Sequence, residues 1–254
     1  MSDFVDRMAE HTHREQAAPW DPVGLMLGDA EQPIDSIGVC HEVTDAVLDR
    51  LDKRPVDLLV TYHPLLFTPT HRIVAERSAG SRAFRLLKMN TALLVSHTDF
   101  DTAPGGAADA LADFFDLRDV ESFGGDPEAG EPSIGRVGEF DAKLAVLDAR
   151  VSDAFGYTGL RVSGDPETHI DRLAVIPGSG SSLIDEAAEV ADALVTGDVP
   201  HHRAVRAADL GLAIVDPGHV ATERPGMKAL VTLVRRLADT QVVDLTELAP
   251  QTWG

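Results

Sequence analysis

The chain has 254 residues, 44% of them hydrophobic, which is enough to bury either one large α/β core or two smaller ones. Its 42 acidic and 22 basic residues give a formal net charge of -20, and no concentrated basic patch is visible in the sequence. Such a chain repels a phosphate backbone, so the composition disfavours a nucleic-acid-binding protein. Asp outnumbers Glu and lysine is scarce, a balance that resembles proteins kept soluble in high salt.

Cysteine content and hydropathy predict a cytoplasmic protein without a membrane anchor. Cys40 is the single cysteine, which excludes an intrachain disulfide and fits a reducing compartment. It lies in an apolar stretch, so we interpret it as an inert core thiol. No signal peptide is visible, and no apolar run approaches the ~20 residues that a membrane-spanning helix needs.

Apolar strands alternate with amphipathic helices along the chain, which predicts an α/β fold with mostly parallel sheets. After a first helix over 1–16 and a short extended piece over 20–29, we predict strands at 36–40, 56–61 and 93–96 and helices at 44–51, 81–88 and 106–115. After a strand at 134–140, a helix that starts at 142 and a short strand at 159–163, we predict strands at 173–176, 193–196 and 213–215 and helices at 182–190, 204–210 and 226–238.

The second half of the chain repeats the order of the first. The pentapeptide 57–61 (DLLVT) aligns with 192–196 (DALVT), and the preceding strands lie 21 and 20 residues earlier, from Val39 to Val60 and from Val175 to Val195. An internal duplication explains both coincidences. We therefore predict two similar lobes, 1–122 and 133–254, joined by a Gly- and Pro-rich linker at 123–132, with a C-terminal helix free to pack back on the first lobe.

Histidines and carboxylates follow the predicted strands directly. His63 follows one strand, His97 and Asp101 follow the next, and His219 and Glu223 follow the corresponding strand of the second lobe. Ligands of parallel sheets bind at the carboxyl ends of the strands, where loops converge. The shared placement predicts a polar cleft between the two lobes.

Imidazole nitrogens and carboxylate oxygens are ligands for Zn, Fe, Mn or Ni, and the absence of Cys from these segments excludes a thiolate site. A His four residues before an acid is also typical of a surface helix pair. The Pro-Gly dipeptides on both sides of His219 and Glu223 argue against a helix there, and the His97 and Asp101 spacing repeats the pattern. A metal site is therefore the favoured interpretation.

Other segments leave their alternatives open. His201 and His202 fit a polar helix start as well as they fit ligands. The turn at 177–182 (PGSGSS) is either a tight turn before a helix or a pocket for a substrate phosphate or carboxylate. We interpret the remaining candidate histidines as structural: His41, His71 and His169.

The motifs together resemble the Nif-three-like dinuclear metal-centre proteins, also labelled GTP cyclohydrolase I type 2 homologues. The match rests on four segments: 20–25 (WDPVGL), 60–67 (VTYHPLLF), 96–106 (SHTDFDTAPGG), and 196–198 (TGD) with 216–223 (DPGHVATE). They span nearly the whole chain in the family's order.

The resemblance implies two α/β lobes with a metal cleft between them, commonly assembled as hexameric toroids. It implies that His63 and Asp101 bind one ion, that His219 binds the other and that Glu223 bridges them, with His97 orienting water or shuttling a proton. One position departs from the family, which usually has two histidines before the proline. Here the first is Tyr62, and a neutral phenol is a poor ligand, so the chain binds one or two divalent ions.

The sequence is consistent with three functions. The leading one is a metal-dependent hydrolase, with a small-molecule or nucleotide substrate. The alternative is a metal-binding, metal-delivering or regulatory scaffold without turnover, which Tyr62 favours slightly. The third is a purely structural oligomer.

Overall fold

The computed structural model describes residues 1–75, 78–125, 132–155 and 160–249. The chain forms two compact units. The first contains Met1–Pro104 together with the described residues 227–249, and the second contains Gly105–Gly226. Among the described residues, no helix combines the length and apolar character that crossing a membrane requires.

The first unit is built on a five-stranded sheet. The strands are β1 (Gly24–Leu27), β2 (Ser36–Cys40), β3 (Leu58–Thr61), β4 (Ala92–Val95) and β11 (Gln241–Asp244). Their order in the sheet is β1-β4-β3-β2-β11. Strands β2, β3, β4 and β11 are parallel, and β1 runs antiparallel to β4. The helices are α1 (Ser2–His11), α2 (Asp45–Lys53), α3 (Ala79–Lys88) and the short α4 (Thr98–Thr102).

Helices α2 and α3 pack on one face of this sheet because each carries an apolar stripe and a polar N-terminal cap. Thr44 and Ser78 are the caps, and their side chains accept hydrogen bonds from the first turns. Leu48 of α2 and Leu86 of α3 are buried against Leu59 and Leu93. Alternate strand residues on the other face are also buried, so the strands are apolar along their whole length.

The second unit has a six-stranded sheet. Its strands are β5 (Arg118–Phe123), β6 (Gly135–Lys143), β7 (Arg161–Ser163), β8 (His169–Val175), β9 (Ala193–Val195) and β10 (Ala213–Asp216). Their order in the sheet is β5-β6-β8-β9-β10-β7. Its helices are α5 (Ala107–Phe114), α6 (Leu144–Phe155), α7 (Ile184–Val190) and α8 (His201–Asp209). One sheet face packs on α5 and α6 and the other on α7 and α8.

The two sheets share a core topology, which confirms the predicted duplication. In each, three parallel strands follow in the order β2-β3-β4 or β8-β9-β10, and a strand antiparallel to the last one completes the edge. Asp57 and Asp192 repeat one role exactly before β3 and β9. Asp57 Oδ2 accepts the N–H groups of Asp35 and Ser36, and Asp192 Oδ2 accepts those of Asp171 and Arg172.

The division into compact units differs from the predicted domain ranges. Residues 105–122 belong to the second unit, and residues 227–249 group with the first. The predicted linker at 123–132 begins on a paired strand residue, since Phe123 of β5 opposes Gly135 of β6. Residues 126–131 lie outside the described residues, as does the beginning of the strand predicted at 159–163.

Two element predictions are corrected. The first helix ends at His11, because His13 adopts a left-handed conformation with φ of 49°, and a separate 3-10 turn covers Arg14–Gln16. The last helix, α9 (His219–Leu237), begins seven residues earlier than predicted and contains Pro225.

Candidate metal centre

The first unit brings four rings together at the carboxyl ends of β2, β3 and β4. The centroid of His63 lies 4.6 Å from that of His41, 5.0 Å from that of Tyr62 and 5.1 Å from that of His97. His41 and Tyr62 are buried. The strands place these rings together because His41, Tyr62 and His97 follow strands that are neighbours in the sheet.

His97 is oriented by a carboxylate from the N-terminal segment. Its Nδ1 lies 2.9 Å from Asp21 Oδ2, which also accepts the backbone N–H and the hydroxyl of Thr98. The side chain of Asp21 is fully buried. Burial alone raises the pKa of Asp21, but the hydrogen bonds and charge of His97, with those of Thr98, lower it below its usual value. Asp21 is therefore ionised and accepts a hydrogen bond from Nδ1 of His97, which fixes the orientation of the ring.

Tyr62 lies against a predicted ligand. Its hydroxyl donates a short hydrogen bond to Asp101 Oδ1. Both side chains are buried, and Asp101 is in α4, with its N–H bonded to the carbonyl of His97. Tyr62, the position at which the sequence departs from the pattern it resembles, thus contacts a carboxylate that was predicted to be a metal ligand.

The corresponding segment of the second unit is helical, which corrects the sequence interpretation. His219 is the first residue of α9 and Glu223 follows one turn later, with His219 Nε2 3.0 Å from Glu223 Oε1. The Pro-Gly before His219 does not prevent the helix, because Asp216 Oδ1 accepts the N–H of Gly218 and turns the chain into it. The side chains of a surface helix pair are exposed, whereas Glu223 is only 2% exposed.

His219 contacts two carboxylates, one at each ring nitrogen. Asp198 Oδ2 lies 2.8 Å from Nδ1, opposite the contact of Nε2 with Glu223. Burial lowers the pKa of His219, but Glu223 and Asp198 outweigh it and raise the pKa to about 9. At neutral pH the imidazolium form therefore satisfies both carboxylates.

The turn after β8 packs directly on this pair. Gly178 has φ of 66°, and a Cβ there would lie 2.6 Å from Glu223 Oε1. Its N–H donates to the hydroxyl of Thr222, and the N–H of Gly180 donates to that of Thr196. Two N–H groups of the turn at 177–182 are thus already used within the unit, which favours the tight-turn interpretation over an anion pocket.

The remaining histidines lie apart from these groups or on the surface. His201 and His202 are exposed at the start of α8, and His71 is exposed in the segment after β3. His169 lies with Asp141 and Asp171 on an exposed stretch of β6 and β8, where the three side chains form a group that could hold a metal ion. Its Nε2 is 3.2 Å from Asp141 Oδ1 and 3.1 Å from Asp171 Oδ1.

Comparison with known proteins decides the family. Residues 1–250 match the family model described as Duf34/NIF3 (NGG1p interacting factor 3). The chain belongs to the Duf34/NIF3 family. A relative from Streptomyces coelicolor, named GTP cyclohydrolase 1 type 2 homolog, is 36% identical, over 96% of this chain and 89% of its own. One from Clostridium perfringens with the same name is 30% identical, over 88% and 86%. The predicted family is thus confirmed.

Solved structures confirm the Duf34/NIF3 fold. A Staphylococcus aureus hypothetical protein has a TM-score of 0.88 at 21% identity, covering 99% of this chain and 98% of its own. Reduced HcgD from Methanocaldococcus jannaschii has a TM-score of 0.82 at 26% identity, covering 95% of each chain.

Each unit of this Duf34/NIF3 chain thus assembles part of the predicted residue set. His63, His97 and Asp101 meet in the first unit, and His219 contacts Glu223 in the second. From the sequence, His41 is interpreted as structural, and Asp21 and Asp198 belong only to segments that carry the family resemblance, without a separate role. His41 follows the end of β2 directly, the signal used for His63, and could have been found in that way. Asp21 could not, since it lies 76 residues from His97.

Proposed function

We propose that the chain binds divalent metal ions through His63 and Asp101 of the first unit and His219 and Glu223 of the second, and that it is a metal-dependent hydrolase. One observation carries the proposal. In each unit, a His at the start of a helix, His97 or His219, is followed four residues later by a buried carboxylate, and the helix begins just past the carboxyl end of a parallel strand. Family membership supports a shared role for the two groups.

The donor set fits a hard or borderline divalent ion. It consists of imidazole nitrogens and carboxylate oxygens without a thiolate, the set expected for Zn, Fe, Mn or Ni. His219 has a carboxylate against Nδ1, which fixes the ring so that Nε2 points toward the Glu223 carboxylate. Metal-ligating histidines almost always have such a partner on the other nitrogen.

His97 has the contacts expected of a proton-transfer group. Asp21 accepts from its Nδ1 and so stabilises the protonated ring, as a positioned carboxylate does for a general base. A bound divalent ion would supply Lewis-acid activation of water and of the bond to be broken. Within this division of roles, His97 accepts and returns the proton while Asp21 holds the ring in place.

Tyr62 favours a second candidate, a metal-binding protein without turnover. Its hydroxyl donates to Asp101, so the phenol uses one oxygen of a proposed ligand. An imidazole at this position would add a nitrogen donor instead. The substitution therefore weakens one of two ion positions, and two-metal hydrolysis depends on both.

Elemental analysis tests the metal proposal directly. Protein purified without a metal-affinity step should contain one or two equivalents of divalent metal per chain. Glu223→Gln and Asp101→Asn should each lose at least one equivalent, since each removes a carboxylate charge from the donor set. Exposed Glu167 and His202 provide the matched controls, Glu167→Gln and His202→Gln. Wild-type metal content in Glu223→Gln would exclude the proposed site.

Activity separates the two candidate functions. The metal-loaded protein should hydrolyse at least one member of a panel of GTP, phosphate esters and cyclic amides, and His97→Gln should lower the rate while the metal content is unchanged. Absence of turnover in a fully loaded sample would leave the scaffold function. The predicted hexamer is a separate proposal, tested by the mass of the assembly in solution.

A further inference from the structure

Two aromatic side chains lie exposed beside His97. Trp20 is 62% and Phe67 55% exposed, the two largest values among the exposed large hydrophobic side chains of the described residues. The other members of that set are aliphatic. The rings of Trp20 and Phe67 contact each other, with centroids 5.7 Å apart and planes at 60°. The indole ring also lies against His97, at 6.4 Å.

We infer that Trp20 and Phe67 form a stacking platform for a planar heteroaromatic ring of the substrate. This inference rests on the proposed function, for which it names the substrate class. An aromatic pair in edge contact leaves ring faces open to solvent, and stacking on such faces is the usual way in which proteins bind planar bases.

The chain on either side of the platform residues is anchored by hydrogen bonds. Asp21, the neighbour of Trp20, is anchored through its buried carboxylate to Thr98 and His97. The turn is closed by a hydrogen bond from the N–H of Asp21 to the carbonyl of Ala18, whose own N–H donates to Thr98 Oγ1. Phe67 follows Leu66, whose N–H contacts Met26 Sδ at 3.4 Å. The backbone that carries Trp20 therefore loses little conformational entropy on binding.

The residues around the platform indicate which class of ligand it can bind. A group stacked on the face of Trp20 lies beside the ring of Phe67, which is inclined at 60° to the indole, and near the His97 imidazole, 6.4 Å from the indole. A flat ring with polar edge atoms satisfies both, whereas an aliphatic chain leaves the polar edge unpaired. The net charge of -20 disfavours a polynucleotide, so we expect a single ring or a mononucleoside.

Fluorescence of Trp20 tests this inference. The sequence has two tryptophans, so Trp253→Phe leaves Trp20 as the single reporter in the full-length protein. With excitation at 295 nm, guanosine should quench the emission saturably, and ribose 5-phosphate should not. Phe67→Leu, which keeps an apolar side chain but removes the ring, should weaken guanosine binding about tenfold. Leu87→Ala, at another exposed apolar side chain, should leave it unchanged.

Several results would overturn the platform: no saturable quenching by guanosine, equal affinity in Phe67→Leu, saturable quenching by tetramethylammonium with none by guanosine, or a Trp20 spectrum that shifts with protein concentration, as burial by a second copy would cause. Metal content is measured on the same samples. Quenching without bound metal supports the platform and contradicts the metal proposal, whereas bound metal without quenching does the reverse.

Discussion

Helices α4 and α9 start with the same sequence pattern, but the side chains of that pattern lie in different electrostatic environments. In both, a His follows a buried parallel strand and an acid lies one turn later. In the second unit the imidazole contacts the acid of its own helix, Glu223, as well as Asp198. In the first unit His97 contacts Asp21 from the N-terminal segment, and the phenol of Tyr62 contacts the acid Asp101.

The difference shows which properties a local motif determines. The spacing of four residues places the two side chains on the same helical face, one turn apart. Neighbours from distant segments determine the rest. His219, between two carboxylates, has a pKa raised to about 9. Asp101 instead accepts from a neutral phenol. The duplicated motif thus provides one basic imidazole in the second unit and a hydrogen-bonded carboxylate in the first.

The largest effect is expected at the glycine that packs on Glu223. Gly178→Ala places a Cβ 2.6 Å from Glu223 Oε1 at φ of 66°, so it adds a clash with a buried carboxylate to left-handed strain. We expect a loss of about 3 kcal/mol in the free energy of unfolding, measured by urea denaturation. Gly105→Ala is the matched control, with φ of 71° and nothing within 4 Å. It should lose about 1 kcal/mol, from strain alone. Equal losses would show that contact with Glu223 contributes nothing.

The next effect is the pH dependence that His219 gives the metal-free protein. Its folded pKa, about 9, lies above the ordinary value of 6.5. The stabilisation is therefore complete below pH 6.5 and is lost as the pH rises through 9. We expect the stability difference between wild type and His219→Gln to shrink by on the order of 2 kcal/mol from pH 6 to pH 10.

The measurement is urea denaturation at both pH values with a chelator present. His202→Gln, at an exposed position at the start of α8, is the control and should show no such change. A difference that stays constant or grows with pH would contradict the paired imidazolium.

Tyr62 provides the corresponding test in the first unit. Tyr62→Phe keeps the buried ring and removes the hydrogen bond to Asp101, leaving a buried carboxylate oxygen without that donor. We expect a loss of about 1 to 2 kcal/mol in the free energy of unfolding of the metal-free protein. Tyr62→His tests the same contact chemically: it should raise the metal content per chain, because an imidazole replaces a phenol. An unchanged metal content would show that Tyr62 does not limit binding.

Much of the fold was predictable because its strands are buried on both faces. β2 was predicted at its exact bounds, Ser36–Cys40, since a continuous apolar run between turn residues has few alternatives. β5 was missed for the opposite reason: all its residues but Phe123 are exposed, so no apolar pattern marks it. The start of α9 was also missed, because two Pro-Gly dipeptides conceal a helix that begins from the turn of Asp216 and Gly218.

The sequence predicted which types of residue lie at the candidate site, but it did not predict which of their side chains contact each other. His63, His97 and Asp101 follow strand ends, where the topology of a parallel sheet brings loops together. The contact of Asp21 with His97 and that of Tyr62 with Asp101 join segments 76 and 39 residues apart. Local propensity contains no information on such pairs, so the structure was needed to find them.

The smallest effect is expected at Asp57 and Asp192, which make the same backbone contacts in the two units. Asp57 Oδ2 accepts three hydrogen bonds, from the N–H groups of Asp35 and Ser36 and the hydroxyl of Ser36, and Asp192 Oδ2 accepts two. Asp57→Ala should therefore cost more, about 1 kcal/mol against somewhat less for Asp192→Ala, by urea denaturation. The reverse order would mean that Ser36 adds nothing, and Ser36→Ala, which should remove the difference, tests that step independently.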